Sequence, residues 1–260
     1  MSHIIRDLEG GVVLVTGASS GIGHAIAVEA ARRGAAQVIL NFARNTAGAE
    51  NAAADVRAAG AAVALVQGDV ACEEDCRRIA AAAAPAGRLD ALFNNAGVTT
   101  FAAHSDLDAV QGEDFARIFA VNVTGAFQMV RAARALLECG GGAVVNTASI
   151  AGVSGVGSSV PYAASKGALI TMTKSLGRAL APRIRVNAIC PGFVDTPWFD
   201  APGTDREAHR AAIVARTPLA AASTPGDVAP AAVFLASRAA GHITGETLLI
   251  DAGLHLGLRG

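Results

Sequence analysis

A tyrosine and a lysine stand four residues apart in this chain of 260 residues, as Tyr162 and Lys166. Positions i and i+4 of a helix share one face, so the phenol and the ammonium group are expected to lie close together. A nearby ammonium group favours the phenolate and lowers the tyrosine pKa towards neutral pH. The pair is therefore a candidate general acid and base for an alcohol or carbonyl oxygen. The chain has no other tyrosine, and its only other lysine is Lys174.

A glycine-rich turn, Thr16 to Gly23, carries glycines in the spacing Gly-x3-Gly-x-Gly. It lies between a predicted strand and a predicted helix. Glycines at this place let the backbone approach a pyrophosphate, and the start of the helix supplies N–H groups and a positive dipole. The turn has no Gly-Lys-Ser/Thr ending, which a nucleotide-triphosphatase loop would carry. It therefore predicts dinucleotide binding.

Short β-branched runs alternate with alanine-rich helical stretches along the chain. Strands are predicted at 12–16, 37–41, 63–67, 89–94, 143–148, 184–189 and 247–250. Helices are predicted at 22–33, 46–59, 73–84, 113–137, 159–180 and 225–236. Continuous apolar strands separated by helices are typical of a parallel sheet covered on both faces. We therefore expect one α/β domain over residues 1–260, a doubly wound parallel sheet of about seven strands.

Composition excludes several classes of function. The formal net charge is −1, which gives no basic surface for nucleic acid. Mean hydropathy is +0.41, but charged residues interrupt every apolar stretch before it could cross a bilayer. Residues 1–11 have no apolar core of a secretion signal, so a cytoplasmic location is expected. The four cysteines and six histidines are too scattered for a metal centre, and we predict none.

Further landmarks follow the glycine-rich turn in a fixed order: Asp69-Val70, Asn94-Asn95-Ala96-Gly97, Asn122-Val123-Thr124-Gly125, Ser149, Tyr162 to Lys166, Pro191-Gly192 and Ile243-Thr244-Gly245. Together they resemble the short-chain dehydrogenase/reductase family, in particular members like the 3-oxoacyl-carrier-protein reductases. The resemblance covers nearly the whole chain. It implies a Rossmann-type fold, a nicotinamide cofactor and hydride transfer between a secondary alcohol and a ketone.

The resemblance implies a catalytic set of Asn122, Ser149, Tyr162 and Lys166. Tyr162 would be the general acid and base, and Lys166 would also bind the nicotinamide ribose. Ser149 would hydrogen-bond the substrate oxygen, and Asn122 would hold a water that links Lys166 to solvent. Without the resemblance, a strand-end serine is as readily a capping residue, and a helical asparagine is more readily a packing residue.

The resemblance also implies a set of cofactor-binding residues, which follow the strand ends and the catalytic helix. They are Gly17, Ser19, Ser20, Gly21, Ile22, Gly23, Arg44, Asp69, Val70, Asn95, Ala96, Gly97, Tyr162, Lys166, Pro191, Gly192, Val194 and Thr196. Asp69 would contact the adenine amino group. Its alternative role is to cap the helix that begins at Glu73.

The adenosine end favours NADP over NAD. Sites for NAD usually carry an acidic residue at the end of the second strand, which binds the ribose hydroxyls. Residues 38–45 contain no carboxylate, whereas Arg44 could pair with a 2′-phosphate. Against this, Ser20 stands where many NADP-preferring relatives carry a basic residue, and the turn before the second strand is one residue longer than usual. NAD therefore stays an alternative.

An irregular stretch at 192–224 interrupts the regular pattern and holds Trp198 and two phenylalanines. A long segment beside a strand end is often functional, so we interpret it as a substrate lid. With 99–104 and 150–156, it would face a moderately apolar small molecule. The resemblance further implies a homotetramer or homodimer that pairs helices 113–137 and 159–180.

The predicted function is an oxidoreductase that uses NADP(H), or NAD(H), to interconvert a secondary alcohol and a ketone. The alternative is a cofactor-binding regulator or scaffold with little turnover. The complete set of four catalytic residues speaks against that alternative. A methyltransferase of similar topology would have no use for the Tyr–Lys pair.

Overall fold

A seven-stranded sheet organises the protein, whose computed structural model describes residues 7–200 and 206–257. All of the strand pairs are parallel, and the order is β3-β2-β1-β4-β5-β6-β7. The strands are β1 (Val12–Val15), β2 (Gln37–Phe42), β3 (Ala62–Gln67), β4 (Ala91–Asn94), β5 (Ala143–Thr147), β6 (Arg185–Pro191) and β7 (Thr247–Ile250). This confirms the predicted doubly wound architecture. The strand order reverses between β1 and β4, where such folds bind their ligands.

Helices connect the strands and cover both faces of the sheet. Their bounds are α1 (Gly21–Arg32), α2 (Thr46–Ala58), α3 (Glu73–Ala81), α4 (Gly112–Phe119), α5 (Ala126–Gly140), α6 (Ala151–Ser154), α7 (Val160–Leu180), α8 (Arg206–Arg216) and α9 (Pro225–Ala236). One core layer packs α1, α2 and α9 on the sheet, and the other packs α3, α5 and α7. The small side chains of these helices allow their close approach to the strands.

Burial of the strands follows their place in the sheet. The central strands β1, β4 and β5 are fully buried, whereas the edge strands β3 and β7 consist of half-buried or exposed residues. A central parallel strand is covered by helices on both faces, which explains its continuous apolar run. An edge strand has a neighbour on one side only.

The expected continuous helix at 113–137 is interrupted. A π-helical turn, Ala120–Gly125, separates α4 from α5. Such wide turns are rare, and they occur frequently at functional sites. Hydrophobic periodicity does not reveal the turn, because the buried residues Ile118, Asn122, Gly125 and Met129 keep helical spacing across it. The turn contains Asn122, which is buried.

Candidate functional site

The glycine-rich turn is held against the end of β4 by hydrogen bonds. The Thr16 hydroxyl accepts the backbone N–H groups of Asn95 and Ala96, both at 3.0 Å. The Asn95 side chain in turn donates to the carbonyl oxygens of Thr16 and Gly17, both at 3.2 Å. The Asn95 amide group thus supports the turn, and the contact of Asn95 with the cofactor stays a prediction. The neighbouring backbone, Ala96-Gly97, continues from this point towards Lys166.

Two glycines of the turn are required by close backbone approach. A Cβ atom on Gly23 would lie 2.4 Å from the Gly17 oxygen, and one on Gly17 would lie 2.8 Å from the Ala96 Cα. Gly21 opens α1 with a φ of +56°, a conformation that glycine adopts readily. The turn therefore depends on its three glycines for its shape.

The start of α1 suits an anionic ligand. Ser20 stands at the N-cap, and its side chain caps no backbone N–H. The first-turn N–H groups, from Gly21, Ile22 and Gly23, have no acceptor within the helix. These donors and the helix dipole fit a pyrophosphate, so the residues present fit the dinucleotide that the motif implies. Ser19 and Ser20 lie beside these donors at the mouth of the turn.

Asn41 lies near the end of β2, and its side chain is buried. Its amide nitrogen donates to the carbonyl oxygens of Gly68, at 2.9 Å, and Val66, at 3.2 Å. Its amide oxygen accepts the Gly17 N–H at 3.4 Å. A carboxylate here would face two carbonyl oxygens without a hydrogen to offer. These hydrogen bonds explain why the end of β2 carries an asparagine and not the acidic residue that is usual in NAD sites.

A cavity of about 710 Å³ lies beside the ends of β2 and β3, and Arg44 and Asp69 line it. Arg44 is exposed. Asp69 is also exposed, and its carboxylate accepts the Ala71 N–H at 2.9 Å. The alternative of Asp69 as a helix cap is wrong, because Cys72 stands at the N-cap of α3. The side chain of Val70 packs against Gly125 of the π-helical turn.

Three predicted catalytic residues meet where β5 ends and α7 begins. The Lys166 ammonium group donates to the Thr147 carbonyl at 2.7 Å and lies 5.5 Å from the centre of the Tyr162 ring. The Ser149 side chain hydrogen-bonds Tyr162. Ser159 caps α7 by accepting the Tyr162 N–H at 3.4 Å, which fixes the start of this helix. The serine, the phenol and the ammonium group therefore form one cluster.

Burial governs the protonation of this cluster. It raises the pKa of Tyr162 to about 12, and the hydrogen bond from Ser149 opposes the change. Burial also lowers the pKa of Lys166 to about 8. The expectation that Lys166 brings the Tyr162 pKa down to neutral is wrong for this structure, because loss of solvation dominates. At neutral pH the cluster holds a protonated phenol, ready to donate, beside a charged ammonium group.

Asn122 joins this cluster through Ser165. Its amide nitrogen donates to the Val98 carbonyl and to the Ser165 hydroxyl, both at 3.0 Å. Its amide oxygen accepts the Val98 N–H at 2.8 Å, and Ser165 donates to the Tyr162 carbonyl at 2.7 Å. Both amide hydrogens are thus used within the protein. The wide turn changes the usual helical pairing of its carbonyl groups, so the main chain of Asn122 is the better candidate to bind a water.

The residues after β6 run back towards the glycine-rich turn. Gly192 packs on Asp251, where a Cβ atom would lie 2.7 Å from the Asp251 Cβ. Val194 forms a parallel bridge with Ser223, and the Thr196 hydroxyl donates to the Val194 carbonyl at 3.3 Å. Thr196 also lies beside Gly21. The predicted contacts Pro191, Gly192, Val194 and Thr196 are therefore brought to the same edge as the turn.

Sequence reasoning missed three residues of the site: Asn41, Ser165 and Cys190. The Cys190 thiol is buried beside the cluster, and burial raises its pKa to about 11. Only Ser165 carried a signal, since it lies between Tyr162 and Lys166. Asn41 and Cys190 lie on strands that are far in sequence from the residues they approach, so no local sequence pattern predicts these contacts.

Neither a metal-binding cluster nor a membrane-spanning helix is found in the part of the chain that the structure describes. No group of three or more His, Cys, Asp or Glu side chains could hold a metal ion there. The four cysteines are free thiols. Among the helices of residues 7–200 and 206–257, none is long and apolar enough to cross a membrane.

Known proteins resemble this chain over nearly its whole length. A family model described as enoyl-(acyl carrier protein) reductase matches residues 17–255. A Streptomyces violaceoruber protein, described as ketoacyl reductase 2 of the granaticin polyketide synthase, is 41% identical over 95% of this chain and 97% of its own. An L-rhamnose 1-dehydrogenase (NAD(P)(+)) of Sphingomonas is 36% identical, over 97% and 99%. The 3-oxoacyl-[acyl-carrier-protein] reductase of Escherichia coli is 35% identical, over 96% and 99%.

A solved structure agrees with these relatives. The short-chain dehydrogenase/reductase from Brucella melitensis, described as a glucose/ribitol dehydrogenase, has a TM-score of 0.85 and 30% identity over 96% of this chain and 98% of its own. Sequence, strand order and the cluster of serine, tyrosine and lysine thus point the same way. The chain belongs to the short-chain dehydrogenase/reductase family, whose members are oxidoreductases acting on CH–OH and C=O groups.

Proposed function

We propose that this enzyme interconverts a ketone and a secondary alcohol, with NADP(H) as the preferred cofactor and NAD(H) as the alternative. The observation that carries the proposal is the cluster of Ser149, Tyr162 and Lys166 at the end of β5. When bound, the nicotinamide supplies or accepts the hydride. The residues of the chain then have to bind and orient the substrate oxygen and move one proton.

Tyr162 carries the proton step. Its protonated phenol donates to the substrate oxygen in reduction, and the phenolate takes the proton back in oxidation. Ser149 hydrogen-bonds the same oxygen and stabilises the charge that develops there. The Lys166 ammonium group stabilises the phenolate left after donation, and it would also hold the nicotinamide ribose. A water on the main chain of Asn122 would return the proton from solvent.

The preference for NADP rests on Arg44. It is the only charged residue in the segment 41–45, and it lies exposed at the adenosine cavity. A guanidinium group pairs well with a phosphate because its donors match the geometry of two phosphate oxygens. The burial of Asn41 supports the same conclusion, since that side chain is occupied and carries no charge for the ribose hydroxyls. Asp69 and the backbone of Val70 would bind the adenine.

One assay tests the proposal. Absorbance of the reduced nicotinamide is followed with NADPH and with NADH over a panel of ketones, and with the oxidised cofactors over the matching alcohols. We expect turnover of at least one ketone, with a higher kcat/KM for NADPH. Tight cofactor binding without any turnover would favour the regulator or scaffold. The relatives named as dehydrogenases and reductases give that alternative no support.

The segment 192–224 is proposed as the substrate lid of one domain that spans 1–260; its residues 201–205, like residues 1–6 and 258–260, lie outside the described part. Arg210 of α8 pairs with Asp195 at 3.5 Å, which links the helix to the start of the segment.

A homotetramer or homodimer that pairs α4, α5 and α7 is proposed, because Phe115 and Phe127 are exposed on α4 and α5. Light scattering tests it. The cytoplasmic location stays a prediction.

A further inference from the structure

The aromatic side chains of this protein are concentrated beside the catalytic tyrosine. The sequence has nine Phe, one Trp and one Tyr, and five of these rings form two contacting groups beyond the ends of β4, β5 and β6. The ring centres of Tyr162 and Trp198 are 5.9 Å apart. Phe199 lies 4.8 Å from Phe193 and 6.2 Å from Phe101. We call these five residues the aromatic cluster.

The aromatic cluster is anchored on one side and open on the other. Phe193 is buried, whereas Trp198 and Phe101 keep 37% and 43% of their surface exposed. An indole and a phenyl ring are therefore held in place yet available for contact. Their partners in the cluster already fix their orientation, so a ligand would lose little additional side-chain freedom on binding.

The surrounding segments provide hydroxyl groups and few charges. Residues 99–104, 150–158 and 193–200 contain no lysine or arginine. Their titratable groups are His104, Asp195 and Asp200. His104 hydrogen-bonds the Gly157 carbonyl at 3.1 Å, and Asp195 pairs with Arg210. These segments thus offer no lysine or arginine for a phosphate or carboxylate on the substrate.

Position relative to Tyr162 determines what the indole can touch. The reacting oxygen has to lie at the phenol, and the Trp198 ring is packed against that phenol. A group attached to the carbonyl carbon then lies within reach of the indole. Aromatic rings prefer another flat π-system, through offset or edge-to-face contacts, over a saturated ring of equal size.

We propose that the aromatic cluster selects ketones that carry a flat aromatic ring within one or two carbon atoms of the carbonyl group, with Trp198 as the specificity-determining contact. The proposal rests on the proposed function, because it assigns the substrate class of the same site. It disfavours phosphorylated substrates, because residues 99–104, 150–158 and 193–200 contain no lysine or arginine that could pair with a phosphate.

Matched ketones test the proposal. 2-Tetralone and 2-decalone have the same bicyclic outline and an unconjugated carbonyl, and they differ in one aromatic ring. We expect the wild-type kcat/KM to favour 2-tetralone by about tenfold, the size of one aromatic contact. Trp198→Leu should remove that preference, and Trp198→Phe should keep most of it. Phe234→Leu, an exposed ring on α9 away from the site, is the matched control and should change neither value.

The single tryptophan provides a second readout that does not depend on turnover. In the Tyr162→Phe variant, Trp198 fluorescence should be quenched by 2-tetralone at about tenfold lower concentration than by 2-decalone. Phe199→Leu should narrow that difference. Equal quenching, or equal kcat/KM for both ketones in the wild type, would overturn the substrate class. Failure to reduce any ketone with either cofactor would instead overturn the proposed function.

Discussion

The proposed catalytic cluster and the proposed adenosine site lie in opposite halves of the same sheet edge, and their environments differ sharply. Lys166 is 4% exposed, and its ammonium group donates a hydrogen bond to the Thr147 carbonyl oxygen. Arg44 is exposed at the mouth of an open cavity. Burial changes the pKa of both Tyr162 and Lys166. The groups proposed for chemistry are buried, and the group proposed for cofactor choice is solvated.

This difference has a physical reason. A proton-transfer group gains from burial, because loss of water moves its pKa and strengthens its interactions. A cation that distinguishes NADP from NAD is left without a phosphate partner when NAD is bound. Solvent then hydrates the cation, so that the unpaired charge costs little free energy. Changes in the buried half should therefore be severe, and changes in the open half mild and selective.

The largest effect is expected from Tyr162→Phe, which removes one oxygen from the buried half. Loss of the general acid should lower kcat by at least about 100-fold, with cofactor affinity changed by less than about threefold. Steady-state kinetics and titration of nicotinamide fluorescence measure the two quantities. Full activity in this variant would show that another group donates the proton.

Next in size is Asn41→Asp, at the boundary between the two halves. The new carboxylate would lose two donated hydrogen bonds and face the carbonyl groups of Val66 and Gly68, so the free energy of unfolding should fall by about 3 kcal/mol at neutral pH. Chemical denaturation measures it. Asn45→Asp is the matched control: it is exposed at the N-cap of α2, where a carboxylate is equally good. A similar loss in both variants would remove the role assigned to Asn41.

A smaller and selective effect is expected in the open half. Arg44→Ala should raise the KM for NADPH by about 10- to 50-fold, the loss of a charge-assisted contact with the 2′-phosphate. The KM for NADH should change by less than about twofold. Arg57→Ala, which removes an exposed cation of α2, is the control. An equal loss for both cofactors would contradict the phosphate contact.

The mildest test changes only the pH. Lys166, with its pKa lowered to about 8, is charged below that pH and neutral above it, while Tyr162 stays protonated throughout. The phenolate formed in reduction needs the ammonium charge. The kcat for ketone reduction should therefore be constant below about pH 8 and fall by up to about tenfold per unit above it. His104→Asn, which removes the one histidine of residues 99–104, 150–158 and 193–200, should keep the same profile. A rate that stays constant up to about pH 10 would contradict the role of Lys166.

The fold and part of the candidate site could be predicted from the sequence, for reasons that differ between regions of the molecule. The parallel sheet followed from apolar runs separated by helices, and the residue types of the catalytic set followed from motifs with local spacing. The π-helical turn at Ala120–Gly125 did not follow, because its apolar face continues across the turn. The pKa directions of Tyr162 and Lys166 also needed the burial that β5 and α7 create together.

The sequence by itself determined the fold class, the glycine-rich turn and the pairing of Tyr162 with Lys166, because each depends on periodicity or spacing within one element. Only the tertiary structure decided that the buried Asn41 side chain hydrogen-bonds neighbouring strand ends. The same holds for the Asn122 side chain, which hydrogen-bonds Val98 and Ser165. The tertiary structure also decided that five of the scarce aromatic rings lie in the region of the Tyr162 phenol, which is proposed to be catalytic. Such contacts join residues far apart in the chain, and their energies depend on burial, which no local pattern contains.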